Sequence, residues 1–411
     1  MDSRVRPLPS RSAVALRFAL VVIAAAPAVV LRLTGTHPNA VWGGVLFGLG
    51  VLAAAVMLMW AAETARADIS GALALALLAL IAVLPEYAVD LYFAYSAGTR
   101  PDYVAYAAAN MTGANRLLVG VGWPLVAIAT AWAARRSRGS ASPHIRLQPH
   151  HRIDVAFLAA AALVAFVMPL TGHIGLYLSV VLIGWYGFYL WRMSRCGAED
   201  MEELAGVPAR LTTLRANRRR PLTILLFAVA AALVFSSAEP FAESLVEAGS
   251  SLGIDRFLLI QWLAPLASEA PELIVAVVFA LRLRAADGLG ALLSSKINQW
   301  TLLVGALPIA YLLGGGSAAL PLVERQVDEV ALTAAQTVLA VVVLLDLRFR
   351  LWEAIGLFVL FAVQFVLPGE SARLILTYVY LAIALVLLIP RLRQLKPTAL
   401  AIGGHIPEDP H

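Results

Sequence analysis

The chain has 411 residues, of which 61% are hydrophobic and only 14% charged. A soluble domain of that size needs far more charge to cover its surface, so a water-soluble globular fold is excluded. The net charge of +5 sits in short arginine-bearing loops between apolar blocks and is no nucleic-acid signal, and the single cysteine, Cys196, excludes an intrachain disulfide.

The expected fold is an all-α polytopic membrane protein. With about 20 residues per crossing, about twelve transmembrane helices are predicted, near 13–33, 41–62, 70–97, 102–133, 153–170, 173–193, 221–247, 255–283, 287–313, 329–346, 351–367 and 372–390. The first resembles a signal peptide at its start, but its apolar part has spanning length, so it is read as a signal-anchor helix behind a tail at 1–12. The 102–133 block exceeds one span and contains Asn110-Met111-Thr112-Gly113-Ala114-Asn115-Arg116, which predicts a bent or interrupted helix there. Two membrane halves, 13–193 and 221–390, flank a linker at 194–220, and a tail follows at 391–411. The linker carries an acidic run (Glu199, Asp200, Glu202, Glu203) before its arginines and reads as a solvated connector. The tryptophans Trp42, Trp60, Trp123, Trp132, Trp185, Trp191 and Trp352 read mostly as interfacial belt residues.

The loops set the orientation. With the N-terminus inside, 134–152 (Arg135, Arg136, Arg138, Arg146, Arg152) and 192–220 (seven arginines from Arg192 to Arg220) fall on the cytoplasmic face. So do the Arg282–Arg284 and Arg348–Arg350 turns and the C-terminal tail. The opposite loops, such as 248–254 and 368–371, carry almost no Lys or Arg, as the positive-inside rule requires. Both termini are therefore expected in the cytoplasm of a multi-pass cell-membrane protein, in bacterial terms an inner-membrane protein.

A shift of 186 residues lays 82–94, AVLPEYAVDLYFA, on 268–280, SEAPELIVAVVFA, matching Pro85 with Pro271 and Glu86 with Glu272. A polar stretch and Leu-Leu-Val-Gly (117–120 and 302–305) follow each motif, one residue out of that register. By the helix count Glu86 lies on an outward-running helix and Glu272 on an inward-running one, so repeat one (about 70–125) and repeat two (about 256–310) are expected to be inverted. Secondary transporters place ion sites at such repeat interfaces. A carboxylate in hydrocarbon is expensive and persists only toward protein or a water-filled cavity. The proline before it removes a backbone donor and opens the helix, freeing carbonyl oxygens of the kind a hard cation takes.

Leu84-Pro85-Glu86 followed by Asn110-Met111-Thr112-Gly113-Ala114-Asn115, and Ala270-Pro271-Glu272 followed by a degenerate Ser294-Ser295-Lys296-Ile297-Asn298, resemble the cation/calcium exchanger superfamily in its sodium/calcium exchanger membrane region. The resemblance covers both repeat cores. It implies cation antiport by alternating access, with Glu86 and Glu272 as central ligands and Asn110, Asn115, Ser295 and Asn298 as neutral oxygens. The sequence departs from the family where Thr or Ser ordinarily precedes Leu-Pro-Glu: here stand Ala82 and Val83, and Ser268 and Glu269.

Asp90, one turn after Glu86, and Glu269, three residues before Glu272, add acids on shared helix faces. Arg116 and Lys296 add cations in the polar arms. Lys296 is one of only two lysines. Two readings stand for it: an ion pair with Asp90 or Glu269, or a place in the cation site that favours proton coupling, since a buried lysine readily loses its proton. Glu239 and Glu243 form a further membrane pair, read as an access path or as partners of an arginine. The expected function is antiport of Ca²⁺ or Na⁺ against Na⁺ or H⁺. The alternatives are a proton-coupled monovalent antiporter using Lys296 and a non-transporting scaffold or sensor with a self-neutralised site. An enzyme is not expected: no HExxH or Ser/His pairing appears within the spans, and His144, His150, His151, His405 and His411 fall in loops and tails. The expected partners are inorganic cations and the lipid bilayer, with no cofactor and no nucleic acid, and homodimer formation is left open.

Overall fold

The computed structural model describes residues 10–36, 38–65, 67–68, 84–138, 144–195, 206–253, 255–367 and 369–404. The expectations for 70–83, Cys196, the acidic run at 199–203 and the distal tails lie outside these residues.

Each of the twelve apolar segments coincides with helix among the described residues. The helices are α1 (Arg11–Thr34), α2 (Ala40–Ala65), α3 (Leu84–Ala97), α4 (Tyr103–Leu117), α5 (Trp123–Arg138), α6 (His151–Ala165), α7 (Val167–Thr171) and α8 (Leu176–Arg195). Beyond the linker come α9 (Gly206–Leu211), α10 (Ala216–Leu252), α11 (Arg256–Leu281), α12 (Ala285–Asn298), α13 (Val304–Leu313), α14 (Glu324–Leu344), α15 (Leu351–Val366), α16 (Glu370–Leu388) and α17 (Leu392–Ile402). By length and composition seven described helices can cross a membrane, and eight if the bent α11 counts as one span.

The local rules are visible in α1. The Ser10 hydroxyl caps its start by accepting from the Ala13 N–H at 3.2 Å, and Gly35 ends it at φ +65°, the left-handed region glycine enters without strain.

The chain divides into two compact units that do not follow the two sequence halves. Unit 1 holds the described residues up to Tyr92 together with Ser194–Leu259, and unit 2 holds Phe93–Met193 and the residues from Ile260 onward. Each half gives its opening helices to unit 1 and its closing helices to unit 2, and the chain changes unit within α3 and within α11.

Unit 1 is built on α2 lying against α10 and α1. Small residues on α2 permit the approach, as in membrane helix pairs generally. A Cβ on Gly43 would stand 2.4 Å from Ser244 Oγ, and one on Gly50 would stand 2.7 Å from Ala28 Cβ. Asp68 ties the far ends together: Arg219 grips its carboxylate with both arms at 2.6 and 2.7 Å, and Arg220 Nε donates at 2.9 Å. Those hydrogen bonds hold the Asp68 carboxyl well below the usual carboxylate range. The linker departs from the solvated connector expected of it at α9, where Val207 and Leu211 are buried against Trp60, Ala61 and Leu226. Trp60, read as a belt residue, lies buried in that core with the Phe18 ring at 5.0 Å. The linker's apolar Val-Pro-Ala-Arg-Leu run is short enough to escape a span-length window.

In unit 2, α6 and α14 are clamped at both ends by two short antiparallel ribbons. His144–Arg146 pairs with Arg348–Arg350, and His173–Gly175 pairs with Ala319–Pro321. The 102–133 block is regular helix through the polar string itself. Its irregularity falls one turn later, as a π-helical turn at Leu118–Gly122. The second half has the same order, α12, a π turn at Gln299–Leu303, and α13. Within the strings Thr112 and Asn115 donate back to the carbonyls of Ala108 and Met111, one turn earlier on the same helix. The bend lies elsewhere: α11 turns by 57° between Ala270 and Glu272, where Pro271 removes a backbone donor.

Candidate cation site

The two motif glutamates belong to different units. In unit 1, Glu86 and Asp90 sit four residues apart on α3 and are both buried, at 3% and 0% exposure. The spacing stacks them on one helix face, as the sequence suggested. On α10 the second acidic pair separates in role. Glu239 is half-exposed and accepts from Arg32 at 3.3 Å, whereas Glu243 Oε1 accepts from the Tyr92 hydroxyl at 2.5 Å. An arginine partner is found for the first and a phenol for the second.

In unit 2, α4 and α12 bring their polar strings into the same interior. Asn110, Thr112, Asn115 and Arg116 on α4 are buried, as are Ser295, Lys296 and Asn298 on α12. The Lys296 ammonium donates to the backbone oxygen of Asn115 at 2.6 Å and to its side-chain Oδ1 at 2.9 Å, with the Trp300 ring at 5.5 Å. Two of the oxygens expected to serve a cation thus hold a cation that belongs to the protein. Asn115 Nδ2 in turn donates to the Met111 carbonyl at 3.0 Å, which fixes the amide with its oxygen toward Lys296. Glu269 Oε1 accepts from Gln299 Nε2 at 2.5 Å, and the Ser295 hydroxyl lies beside the Glu272 carboxyl.

Among the described residues the buried Asn110 amide has no hydrogen-bond partner at either its oxygen or its nitrogen. A buried, unpartnered amide is unfavourable by about 1–3 kcal/mol, so the oxygen is available to a hard cation or its water. Among the described residues no three of His, Cys, Asp and Glu gather around a point. A cation in this interior would lean on amide, hydroxyl and carbonyl oxygens.

Arg116 takes a role its sequence position does not announce. Its guanidinium pairs with Glu329 on α14 at 2.5 Å and donates to Gln364 Oε1 on α15 at 3.0 Å and to the Thr112 carbonyl at 3.3 Å. Arg373 on α16 reaches the other Glu329 oxygen at 3.0 Å and the Gln364 carbonyl at 3.0 Å, and Gln364 Nε2 donates to Tyr380 at 3.2 Å. This buried lattice ties the polar arm of α4 to three later helices. Glu329, Gln364 and Arg373 escaped the sequence reading, although a charge or amide inside an apolar span is itself the signal that finds them. His151 also departs from its expected loop position. It is the first residue of α6, only 8% exposed, with Nδ1 2.8 Å from Asp154 Oδ2.

A family model for the sodium/calcium exchanger protein matches residues 39–195 and 222–368. The chain is similar to the crystal structure of the H⁺/Ca²⁺ exchanger CAX, at 40% identity over 95% of this chain and 97% of that one, with a TM-score of 0.89. It is also similar in fold to native YfkE, at 13% identity over 89% and 99% of the two chains and a TM-score of 0.61. The sodium-calcium exchanger NCX_Mj is a third such structure, at 17% identity over 79% and 97%, with a TM-score of 0.53. No curated protein matches the sequence significantly.

Proposed function

As the chain belongs to the sodium/calcium exchanger protein family, a family of membrane ion exchangers, we propose that it is a secondary antiporter moving Ca²⁺ in exchange for H⁺. The observation that carries the coupling ion is the grip of Lys296 on both oxygens of Asn115. A site coupled to Na⁺ needs such oxygens for the ion itself, and a tethered ammonium already fills them. The 40% identity to a H⁺/Ca²⁺ exchanger supports the same reading.

Glu86 and Glu272 supply the carboxylates, a pairing that rests on the internal repeat of the sequence. Two carboxylates balance one Ca²⁺, and two protons replace it without changing the buried charge, which lets one site return loaded with either partner. Asn110 supplies neutral oxygen, and Ser295 and Asn298 do the same in the second arm. Asp90 and Glu269 tune the local charge. The reading includes twelve spans, inverted repeats, a cell-membrane location and both termini in the cytoplasm, by the arginine asymmetry of the loops.

The test is flux in proteoliposomes. A pH gradient drives Ca²⁺ uptake by the wild type, and Glu86→Gln or Glu272→Gln abolishes it. Uptake driven by a Na⁺ gradient and indifferent to pH overturns the coupling. Pure Na⁺/H⁺ exchange transfers the function to the monovalent reading built on Lys296. No flux of any cation leaves the scaffold reading.

A further inference from the structure

Unit 2 contains a buried chain of exchangeable protons that cation binding does not use. His151 Nδ1 lies 2.8 Å from Asp154 Oδ2. The Tyr189 hydroxyl on α8 donates to Asp154 Oδ1 at 2.9 Å and lies 3.1 Å from Ser294 Oγ on α12. Asp154 and Tyr189 are buried, and His151 sits beneath the exposed loop residues Gln148 and Pro149. Ser294 directly precedes Ser295. On the same helix as Tyr189, the Tyr186 ring lies tilted beside it at 6.0 Å and stands within electrostatic reach of Glu272.

The polarity of the chain follows from counting protons. A phenol has one, and Tyr189 gives it to Asp154, so the Ser294 hydroxyl is the donor to Tyr189. Ser294, Tyr189 and Asp154 therefore point one way, from the α12 arm toward His151. We propose that Ser294, Tyr189, Asp154 and His151 form a proton exit path from the exchange site to the loop face of α6. The proposal rests on the proton-coupled reading above.

Each hop balances. Ser294 passes its proton to the Tyr189 oxygen as Tyr189 passes its own to Asp154 Oδ1, and Ser294 is refilled from the site side. The Asp154 carboxyl, protonated at Oδ1, rotates about its Cβ–Cγ bond to turn that hydrogen toward His151 and gives it to Nδ1 of the tautomer that carries its hydrogen on Nε2. The imidazolium loses its Nε2 proton to water at the loop. One proton enters and one leaves, Asp154 returns to the carboxylate and His151 to the neutral imidazole.

Among the described residues the surroundings give His151 one buried acid. On its own segment it meets Asp154 and the tilted His150 ring at 4.1 Å. From α12 it meets the backbone at Gly290, close enough that a Cβ there would stand 2.4 Å from the ring. Asp287 on that helix is held by Arg284 at 2.6 Å. From α8 come Tyr189 and Arg192, the latter lying against Gly404. Arg152 turns away to the Leu345 carbonyl, Gln394 and Thr398. Arg393 and Lys396 of α17 are exposed, and the end of α14, residues 338–345, is apolar throughout.

The experiment uses the full chain in proteoliposomes and two rates: Ca²⁺ uptake driven by a pH gradient, and Ca²⁺ self-exchange at equal pH, which moves no net proton. Tyr189→Phe keeps the ring and removes the relay hydroxyl. Coupled uptake is expected to fall about tenfold or more, with self-exchange at the wild-type rate. His151→Ala is expected to slow coupled uptake likewise, and added imidazole to restore it, which a packing defect would not allow. Equal loss of both rates in Tyr189→Phe, or wild-type coupled uptake in both variants, overturns the path while leaving proton coupling intact. Absence of pH-driven uptake in the wild type removes the coupling reading, and the path with it.

Discussion

Gly113 lies inside the polar string of α4, between Asn110 and Asn115, and its bare Cα faces the backbone of α11. A Cβ at this position would stand 1.7 Å from the Gln261 carbonyl oxygen, 2.7 Å from its carbon and 3.1 Å from its Cα. Ordinary contact begins near 3.4 Å, so Gly113→Ala requires a separation of about 3.4 − 1.7 = 1.7 Å between two helix backbones. No flexible side chain is there to yield. Overpacking of this kind destabilises a well-packed interior by about 1–3 kcal/mol, and helix backbones resist more than side chains do. The functional effect is larger. A displacement of the order of 1 Å in a positioned group lowers a rate by about 100-fold, and Asn110, Asn115 and the Lys296 contact all ride on the moved segment. Gly113→Ala is therefore expected to reduce Ca²⁺ flux in proteoliposomes by about 100-fold or more, while thermal melts of the detergent-solubilised protein show a smaller loss of stability. Flux within a factor of two or three of wild type would refute the close approach of α4 and α11 on which the arrangement depends.

Other perturbations test separate parts of the structure. Glu329→Gln leaves Arg116 and Arg373 buried without their shared counter-charge, and breaking such a pair destabilises by about 3–5 kcal/mol; denaturant unfolding in detergent should show it, and an unchanged midpoint would mean the lattice is hydrated. Lys296→Met frees both Asn115 oxygens, and Na⁺ is expected to compete with Ca²⁺ in the variant but not in the wild type, read by Ca²⁺ flux against rising Na⁺. Asp68→Asn removes the clamp on Arg219 and Arg220 and is expected to lower stability by roughly 1–2 kcal/mol at neutral pH. The Asp68 carboxyl is held below its ordinary range, so its contribution is fully present above the unfolded pKa of about 4 and fades only as pH falls below it. The difference between wild type and Asp68→Asn should accordingly be flat from pH 5 to 8 and shrink only in stronger acid.

What the sequence determined by itself follows from the price of polarity in hydrocarbon. An apolar content of 61% required a membrane. Acids and amides that interrupt apolar blocks had to serve a site, and the recurrence of Pro-Glu after 186 residues related two of them. The tilt at Pro271 and the burial of Glu86, Asp90, Asn110, Asn115, Ser295, Lys296 and Asn298 were legible on those grounds. Only the tertiary structure decided who answers whom. Lys296 meets Asn115 across 181 residues, and Arg116 meets Gln364 across 248. Such pairs depend on how each helix is rotated about its axis, and hydrophobic periodicity fades as a guide to rotation when a helix is apolar all round. For the same reason His151, inside the basic 134–152 segment, read as a loop residue, whereas the packing of α6 against α12 buries it on Asp154.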